Sequence, residues 1–425
     1  MKYLNLIIFF TGFFALGQAT WQAVPNITPN TNNQRFDDVY FLNDNLGWAA
    51  NGFYAAVYKT TDGGLTWTEQ LNENNLTGNF YFRNIVFLNE NIGFVGTLNN
   101  TVFKTTDGGS TWNPINNIDP NPVAICGLDV VGPSTVYGCG AFFEPAFIIK
   151  STDSGDNWTY FDMSSYATAL VEVKFLTESL GYAAGKSSSG AVVLKTTDGG
   201  VSWSEIYNSN IPGQYVWKLQ VLDSNNNVIF GSIDTSAPNQ GKLIKTIDGG
   251  LNWSSFDAPE SRIQAVGFID ENTGWMGGHT TGFYETTNGG MSWTNLSTGS
   301  NLNRIFIINS SLAYASGTTI YKFTSQTLNS PDLEDTFQQN PLAIKLDLNP
   351  VKDILRFSID FESPDNILIH LYDVNGKLIK KLARETIETS IKKEYQFNLI
   401  DLKSGTYILE VHNNLGRISK KIIKP

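Results

Sequence analysis

Cysteine, histidine and positive charge are all scarce in this sequence of 425 residues. It contains two Cys, three His and 29 Lys or Arg against 40 Asp or Glu, which gives a formal net charge of −11. Nucleic-acid binding needs clustered Lys and Arg, so the composition argues against a nucleic-acid partner. Two Cys with no nearby His are too few ligands for a zinc site. There is no D-x-D-x-D-G loop to indicate calcium, and no metal or other cofactor is implied.

Long apolar runs are missing except at the N-terminus. Residues 1–19 begin with Met-Lys, continue through an apolar run (4–16) and end on the small-x-small sequence Gly-Gln-Ala. This pattern predicts a secretory signal peptide and export through the inner membrane. The run is short for the alternative, a transmembrane anchor. No other stretch is apolar enough to cross a bilayer, so no transmembrane span is expected.

The two Cys lie in one short stretch, ICGLDVVGPSTVYGCG. Its Gly-Pro marks a turn midway between two β-rich runs. Counting outward from that turn places Cys126 and Cys139 opposite each other across a hairpin. In an exported protein this predicts a disulfide between them. The alternative is a pair of buried thiols.

One string recurs along the chain. KTTDGGLTW (59–67) has five later near-copies, and consecutive copies are 40 to 50 residues apart. The Asp or Asn of each copy is Asp62, Asp107, Asp153, Asp198, Asp248 or Asn288. A β-rich period near 45 residues is typical of propeller blades. Each period also holds a hairpin, a third strand leading into the string and a fourth beginning at its Trp, which makes four strands per blade.

The residues of the string suit a tight turn. Thr60 and Asp62 have short oxygen-bearing side chains that can bond backbone N–H groups. Gly63 and Gly64 permit the positive φ that the turn needs. Trp67 can then cover the apolar edge of the blade. Every blade needs one such turn, whereas a ring has no need of six active sites. The string is therefore interpreted as structural.

The ends of the repeat region predict how the ring closes. Residues 302–324 have three inner strands of a further blade but no string and no closing Trp. The sequence TWQAVPN (20–26) resembles the segment after each string, so Trp21 is predicted to open the outer strand of the last blade. Pairing the two chain ends removes exposed sheet edges. The prediction is an all-β fold with a seven-bladed β-propeller over 20–325; six or eight blades are the alternatives.

The repeats resemble known families. S/T-x-D-x-G-x-x-W is similar to the Asp box of bacterial neuraminidase (BNR) repeats. The longer pattern, F-x-D/N-x-x-x-G-W-x-x-G followed by the string, resembles the photosystem II assembly and stability factor family. Sortilin-type domains and xyloglucanases use related repeats. The resemblance covers 20–325 and implies the fold rather than the function, because the same turn serves unrelated activities.

A different domain follows a polar linker (326–340). Residues 341–425 read as short alternating strands with Asn-Gly and Ser-Gly turns, which predicts a small β-sandwich. Four motifs resemble the type A sorting domain of the type IX secretion system of Bacteroidota: Asn349-Pro350, DVNGKLI (373–379), LKSGTYILEV (402–411) and GRISKKIIKP (416–425). The resemblance implies that 341–425 engages the type IX machinery, which delivers the chain to the cell surface or outside the cell.

No catalytic constellation is recognised in the propeller. A sialidase needs three Arg and a Tyr–Glu pair, but the Arg present lie outside the F-R-I-P context of that family. A xyloglucanase-like enzyme needs opposed carboxylates between two propellers, and this chain has one. His279 is the only His of the propeller and is interpreted as a loop residue. The protein is therefore expected not to be an enzyme, with no catalytic residue assigned.

The candidate binding site is a polar collar where the first strand of each blade begins. Aligning those strands puts Asp38, Asn84, Glu172, Lys218 and Arg304 at one level, with Asp37, Arg83, Trp217 and Gln264 one residue earlier. The predicted ligand-binding collar is Asp37, Asp38, Arg83, Glu172, Tyr215, Trp217, Lys218 and Arg304. Aromatic rings beside polar groups suit sugars or proteins. The alternative is a collar that satisfies itself by salt bridges, with aromatics that only close the seams between blades.

The predicted function is an exported propeller that binds a protein or polysaccharide at the cell surface or outside the cell. The assembly-factor resemblance favours a protein. One alternative is a glycan-active hydrolase of sialidase-like or xyloglucanase-like type. Another is a structural or adhesion component of the surface.

Overall fold

The computed structural model describes residues 19–31, 34–140, 145–236, 238–326, 328, 344–361, 364–373, 377–413 and 416–425. The chain divides into two units, 1–328 and 329–425. The predicted signal peptide lies outside the described residues apart from Ala19, and so does most of the predicted linker. In the part of the chain that is described, no helix has the length and hydrophobicity needed to cross a bilayer.

The first unit consists of seven four-stranded antiparallel sheets. It begins with strand β1 (Thr20–Ala23). Blades 1 to 3 are formed by Phe36–Phe41 (β2), Gly47–Asn51 (β3), Ala56–Thr60 (β4), Thr68–Leu71 (β5), Phe82–Phe87 (β6), Gly93–Thr97 (β7), Val102–Thr105 (β8), Asn113–Pro114 (β9), Ile125–Val131 (β10), Thr135–Gly140 (β11), Phe147–Ser151 (β12) and Thr159–Asp162 (β13). A short 3-10 helix, Glu73–Asn75, precedes blade 2.

Blades 4 to 7 continue the same pattern. They are formed by Ala169–Phe175 (β14), Gly181–Lys186 (β15), Ala191–Thr196 (β16), Ser204–Asn208 (β17), Tyr215–Leu222 (β18), Asn225–Asp234 (β19), Lys242–Thr246 (β20), Ser254–Asp257 (β21), Ile263–Phe268 (β22), Gly274–Gly278 (β23), Tyr284–Thr286 (β24), Thr294–Asn295 (β25), Arg304–Asn309 (β26), Leu312–Ser316 (β27) and Ile320–Thr324 (β28). The sheet order β1-β28-β27-β26 makes β1 the outer strand of blade 7. The predicted seven-bladed propeller is confirmed.

Ring closure depends on Trp21. Strand β1 pairs antiparallel with β28, and Trp21 lies opposite Phe323. The Trp21 ring is buried and stacks on Phe283 of blade 6 with 4.2 Å between ring centroids. The pairing of the two chain ends was predicted from the sequence, and the structure adds the packing of Trp21 on the neighbouring blade.

The repeated string forms the predicted turn. In blade 4, Thr196 donates its hydroxyl to Asp198 at 2.8 Å and accepts a hydrogen bond from the Gly200 N–H at 2.9 Å. Gly199 and Gly200 have φ of 74° and 90°, a region that disfavours residues with a Cβ. The same side-chain bridge recurs in all six copies. Asn288 replaces Asp in blade 6 and keeps that bridge.

Four of the six strings, hereafter called boxes, also accept a hydrogen bond at a Gly carbonyl oxygen from a Lys of the preceding blade, which the sequence alone did not predict. The Lys before one box reaches a Gly carbonyl in the next: Lys150 Nζ lies 2.9 Å from Gly199 O, and Lys195 Nζ lies 3.2 Å from Gly249 O. Lys322 of blade 7 makes the same contact with blade 1, at 2.8 Å from Gly63 O. These lysines also lie over an aromatic ring of the adjacent strand, 5.2 to 5.8 Å from its centroid in three blades. The string therefore joins blades as well as strands.

The boxes predict an acid sensitivity of the propeller. Hydrogen bonds from the residue four positions later hold the pKa of Asp153, Asp198 and Asp248 at about 2, against about 3.9 for an unfolded Asp. Because the folded pKa is the lower one, this contribution to stability is present above about pH 4 and lost as the pH falls towards 2. Melting temperatures measured from pH 5 to 2.5 should fall more steeply for the natural chain than for a D153N/D198N/D248N variant. Asn288 shows that an Asn fits the turn, and parallel curves would contradict the prediction.

The second unit is a β-sandwich. Its strands are Ile344–Leu346 (β29), Ile354–Phe361 (β30), Asp365–Asp373 (β31), Leu378–Ile387 (β32), Ile391–Asn398 (β33), Gly405–Asn413 (β34) and Gly416–Lys424 (β35). They form the sheets β29-β30-β33 and β32-β31-β34-β35, whose inner faces share one buried core including Phe357, Ile369 and Leu409. The predicted sandwich is confirmed. The Asn349 side chain donates to Lys421 O and accepts from Ile423 N–H, both at 2.8 Å, so this motif residue holds the last strand.

The predicted disulfide is wrong. Both cysteines are buried thiols. Strand β10 has a bulge between Ile125 and Gly127, so Gly127 rather than Cys126 lies opposite Cys139. Cys126 faces the cavity at the channel mouth, whereas Cys139 packs in the core between blades 3 and 4. A bulge inserts one unpaired residue, and counting outward from the turn cannot detect it.

Candidate functional site

The collar is built by a repeated backbone irregularity. The first strands of six blades carry a β-bulge at the same position. We call the bulged residues the upper row: Asp37, Arg83, Cys126, Val171, Trp217 and Gln264. All of them line one cavity of about 360 Å³, hereafter the mouth cavity. Bulges re-aim side chains, which is why these residues meet there.

The lower row consists of the residue that follows the bulge in each of these six strands, together with Arg304 at the start of the first strand of blade 7. Its charged members are Asp38, Glu172, Lys218 and Arg304, which also border a second cavity of about 220 Å³. Arg304 lies 2.8 Å from both Asp38 and Glu172, and Lys218 lies 2.9 Å from Glu172. The lower row thus forms one buried ion-pair network across the channel. For this row the alternative stated from the sequence, that the charged residues of the collar pair with one another, agrees with the structure.

Burial and pairing set the protonation of the lower row. Burial would raise the pKa of Glu172, but Arg304 and Lys218 outweigh it and leave that pKa below its usual value. Burial lowers the pKa of Lys218 to about 8, with Arg304 contributing in the same direction. At neutral pH the network is ionised, and each charge faces an opposite one.

The charged residues lining the mouth cavity are unequal in number, with Arg35 and Arg83 against Asp37. Asp37 accepts from Arg83 at 2.5 Å and from Arg35 at 3.4 Å, so one carboxylate serves two guanidinium groups. Arg35 also donates to the Asn301 side chain at 3.1 Å. Burial lowers the pKa of Arg35, as expected where a cation is poorly compensated.

The two aromatic rings of the predicted collar, Tyr215 and Trp217, each lie beside a cationic side chain of this protein. Lys186 Nζ lies 4.5 Å from the ring centroid of Tyr215, and the Arg83 guanidinium carbon lies 5.3 Å from the ring of Trp217. The protein's own cations therefore cover a face of each ring, where a sugar would stack. Both rings pack against a small apolar floor formed by Ala124, Cys126 and Val171.

The rim of the mouth cavity is apolar. Leu98 and Val123 line the cavity and are exposed. Phe53 is also exposed. Its neighbour Gly52 lies against Asp37, because a Cβ placed on Gly52 would be 2.1 Å from the Asp37 carboxylate. Of these, only Asp37 was a sequence-predicted site residue. Their loops follow no repeat, so alignment of the blades gave no signal for them.

Burial shifts the pKa of two titratable side chains in the lining of the mouth cavity, Tyr81 and His279. Burial raises the pKa of Tyr81, beside Asp37, which is the wrong direction for a nucleophile. His279 contacts Gln264 at 2.9 Å, and burial lowers its pKa to about 4. Asp37 is the carboxylate that lines the mouth cavity, and Asp38, Asp129, Glu172 and Asp223 line the second cavity. Within the described ranges no group of three His, Cys, Asp or Glu could hold a metal.

Comparison with known proteins assigns the second unit. Residues 349–425 match the model of the secretion system C-terminal sorting domain. This implies secretion through the type IX system, to the cell surface or the extracellular space. No curated protein sequence matches the chain.

The propeller is similar to several solved structures. YCF48 from Cyanidioschyzon merolae is 20% identical over 72% of this chain and 99% of that one, with a TM-score of 0.57. YCF48 bound to D1 peptide is 18% identical over 73% and 100%, with a TM-score of 0.55. PorZ of Porphyromonas gingivalis, an essential surface component of the type IX secretion system, is 14% identical over 95% of this chain and 61% of PorZ, with a TM-score of 0.53. At these identities the likeness shows the fold.

Proposed function

We propose that this chain is an exported, non-enzymatic propeller that binds a polypeptide segment in the mouth cavity, after delivery by its sorting domain. One observation carries the proposal. The cavity combines an apolar floor and rim with two buried arginines that share a single carboxylate. A ligand that fills it should bring an apolar side chain and an acidic group.

Charge compensation is the first argument. A buried cation with incomplete pairing is costly, and a ligand carboxylate would relieve that cost. The ion pairs of the lower row leave Arg304 and Lys218 engaged, so Arg35 and Arg83 are the groups left to meet an anion. Arginine binds carboxylates with paired N–H donors.

The choice of polypeptide over polysaccharide rests on the rings. Sugar binding uses open aromatic faces, but Lys186 and Arg83 lie over Tyr215 and Trp217. Apolar walls suit side chains of Leu, Ile or Phe. A solved propeller of the same fold, YCF48, is described as bound to a peptide. That likeness supports a peptide here and does not name its sequence.

Replacing Arg83 with Met tests the site, because Met keeps the apolar stem and removes the guanidinium. The mature full-length chain should bind selected members of an array of 12-residue peptides carrying both acidic and apolar residues. We expect Arg83→Met to weaken that binding roughly 30-fold and Leu98→Ser roughly fivefold. Fluorescence anisotropy gives both values.

The matched control is Lys242→Met, which removes a cation of an exposed ion pair elsewhere on the propeller and should leave binding unchanged. A polysaccharide panel is measured in parallel, with analysis of released sugars. Saturable binding of a polysaccharide that Arg83→Met abolishes would favour a glycan ligand. Released oligosaccharides would overturn the proposal that the chain is not an enzyme.

A further inference from the structure

The end of the propeller opposite the mouth cavity is formed by two kinds of turn. The turn between the first and second strands of a blade lies beside the box turn of the same blade: Gly199 N–H donates to Ser179 O, and Gly289 N–H donates to Asn272 O, both at 2.9 Å. We call these turns in blades 4 to 6 the box face. It comprises residues 176–180, 197–202, 222–227, 247–252, 269–273 and 287–292.

Large apolar side chains project from the box face. Their exposed fractions are 76% for Val201, 61% for Ile247, 84% for Leu251 and 71% for Met291. The position after the second residue of the Gly-Gly pair is Ser110 in blade 2 and Asp156 in blade 3, so the turn itself has no need of an apolar residue there. Several large apolar side chains exposed on one face of a domain favour an interaction surface over chance exposure.

These apolar residues belong to consecutive, packed turns. A Cβ placed on Gly250 in the box of blade 5 would lie 2.6 Å from Ile206 of blade 4. One placed on Gly290 in the box of blade 6 would lie 2.3 Å from Leu243 of blade 5. Each box therefore rests on the blade before it. We call the four exposed side chains, which lie on the boxes of three neighbouring blades, the crescent.

The same face is acidic. Its carboxylates are Glu178, Asp198, Asp223, Asp248, Asp270 and Glu271, and its six turns contain no Lys or Arg. The nearest lysines are already engaged by the blade-to-blade contacts, with Lys195 bonded to Gly249 O and Lys245 to Glu271 O. A depression of about 590 Å³ between blades 3 and 4 is lined by Glu178 and Asp198 and also by Lys150, which donates to Gly199 O, so two carboxylates face one lysine there. It could take a cationic side chain next to Val201.

We propose that the box face docks a basic, amphipathic polypeptide segment of a partner protein. Its apolar side chains would cover the crescent, and its Lys or Arg side chains would meet the surrounding carboxylates. A second copy of this chain is a poor occupant, because a two-fold contact would place one acidic face against another. An anionic membrane surface would be repelled for the same reason. This surface is separate from the mouth cavity, so the proposal does not depend on the proposed function.

The test uses the mature full-length chain and a fluorescein-labelled 18-residue amphipathic peptide of Leu and Lys. Two further peptides carry Glu in place of Lys, or Ser in place of Leu. Only the Leu–Lys peptide should bind. The variant Leu251→Ser/Met291→Ser should weaken its binding roughly tenfold, because apolar contact is lost. The variant Glu178→Gln/Asp223→Asn/Glu271→Gln should weaken it roughly tenfold and flatten its salt dependence.

Two controls keep the outcome specific. Ser110→Leu places an apolar residue on the box of blade 2, outside the crescent, and should leave the affinity unchanged. Arg83→Met removes the mouth-cavity cation and should also have no effect, which separates this proposal from the proposed function. Equal binding of the Glu peptide, or no loss in Leu251→Ser/Met291→Ser, would overturn the proposal. So would a dimer in sedimentation that the same double variant abolishes.

Discussion

Replacing Trp21 with Ala is expected to lower the free energy of unfolding of the propeller by about 3–5 kcal/mol, the range for a buried Trp. Trp21 is buried in β1, the strand that closes the ring by pairing with β28. It packs on Phe283 and also contacts Trp275 of blade 6 with 5.5 Å between ring centroids. Its loss would loosen the pairing of β1 with β28 and expose an edge of blade 7. Urea unfolding followed by intrinsic fluorescence measures the change.

Trp293→Ala is the matched control for ring closure. Trp293 is a box Trp that is only partly buried and packs at the margin of a core cluster, so its loss should cost less than half as much. A Trp21→Ala variant as stable as the Trp293→Ala variant would show that β1 does not close the ring.

Replacing Glu172 with Gln is expected to cost about 3–5 kcal/mol, because it breaks a buried ion-pair network and leaves charges uncompensated. Glu172 pairs with both Lys218 and Arg304, and Asp38 would remain as the one carboxylate for those two cations. Chemical unfolding of the natural chain and the variant measures the loss.

A second substitution separates charge imbalance from other damage. Adding Lys218→Met to Glu172→Gln restores the balance and should recover part of the lost stability, as in a double-mutant cycle. The exposed ion pair of Lys242 with Asp257 is the control, and Lys242→Met should cost less than about 1 kcal/mol. A cost for Glu172→Gln that is no larger than this would contradict the network.

The positions of the blades could be read from the sequence because their signals are local. Each box turn is set by residues within five positions of one another, and the side chains of Thr196 and Asp198 accept hydrogen bonds from backbone N–H groups of the turn as predicted. The strand spacing follows from the period, and the resemblance of residues 20–26 to the segments after each box placed Trp21 correctly. The sorting domain carried its own motifs, which its family model confirmed.

The collar was only half predictable. Strand alignment placed Asp38, Glu172 and Arg304 at one level, and the structure joins them. It could not show that bulges create the upper row, which is why the pairing of Cys126 with Cys139 was wrong. It also missed Arg35 and the apolar rim, since the loops that hold them do not repeat.

The sequence by itself determined the blades, the turn chemistry of the boxes and the C-terminal sandwich, because these depend on residues close together in the chain. It also identified the closing strand, since residues 20–26 resemble the segments after each box, although β1 pairs with β28 at the other end of the domain. Only the tertiary structure decided which side chains meet around the channel and which partner each charge has. Lys186 over Tyr215 and Arg83 beside Asp37 join different blades. Such contacts depend on bulges and on the packing of blades, which no local pattern encodes.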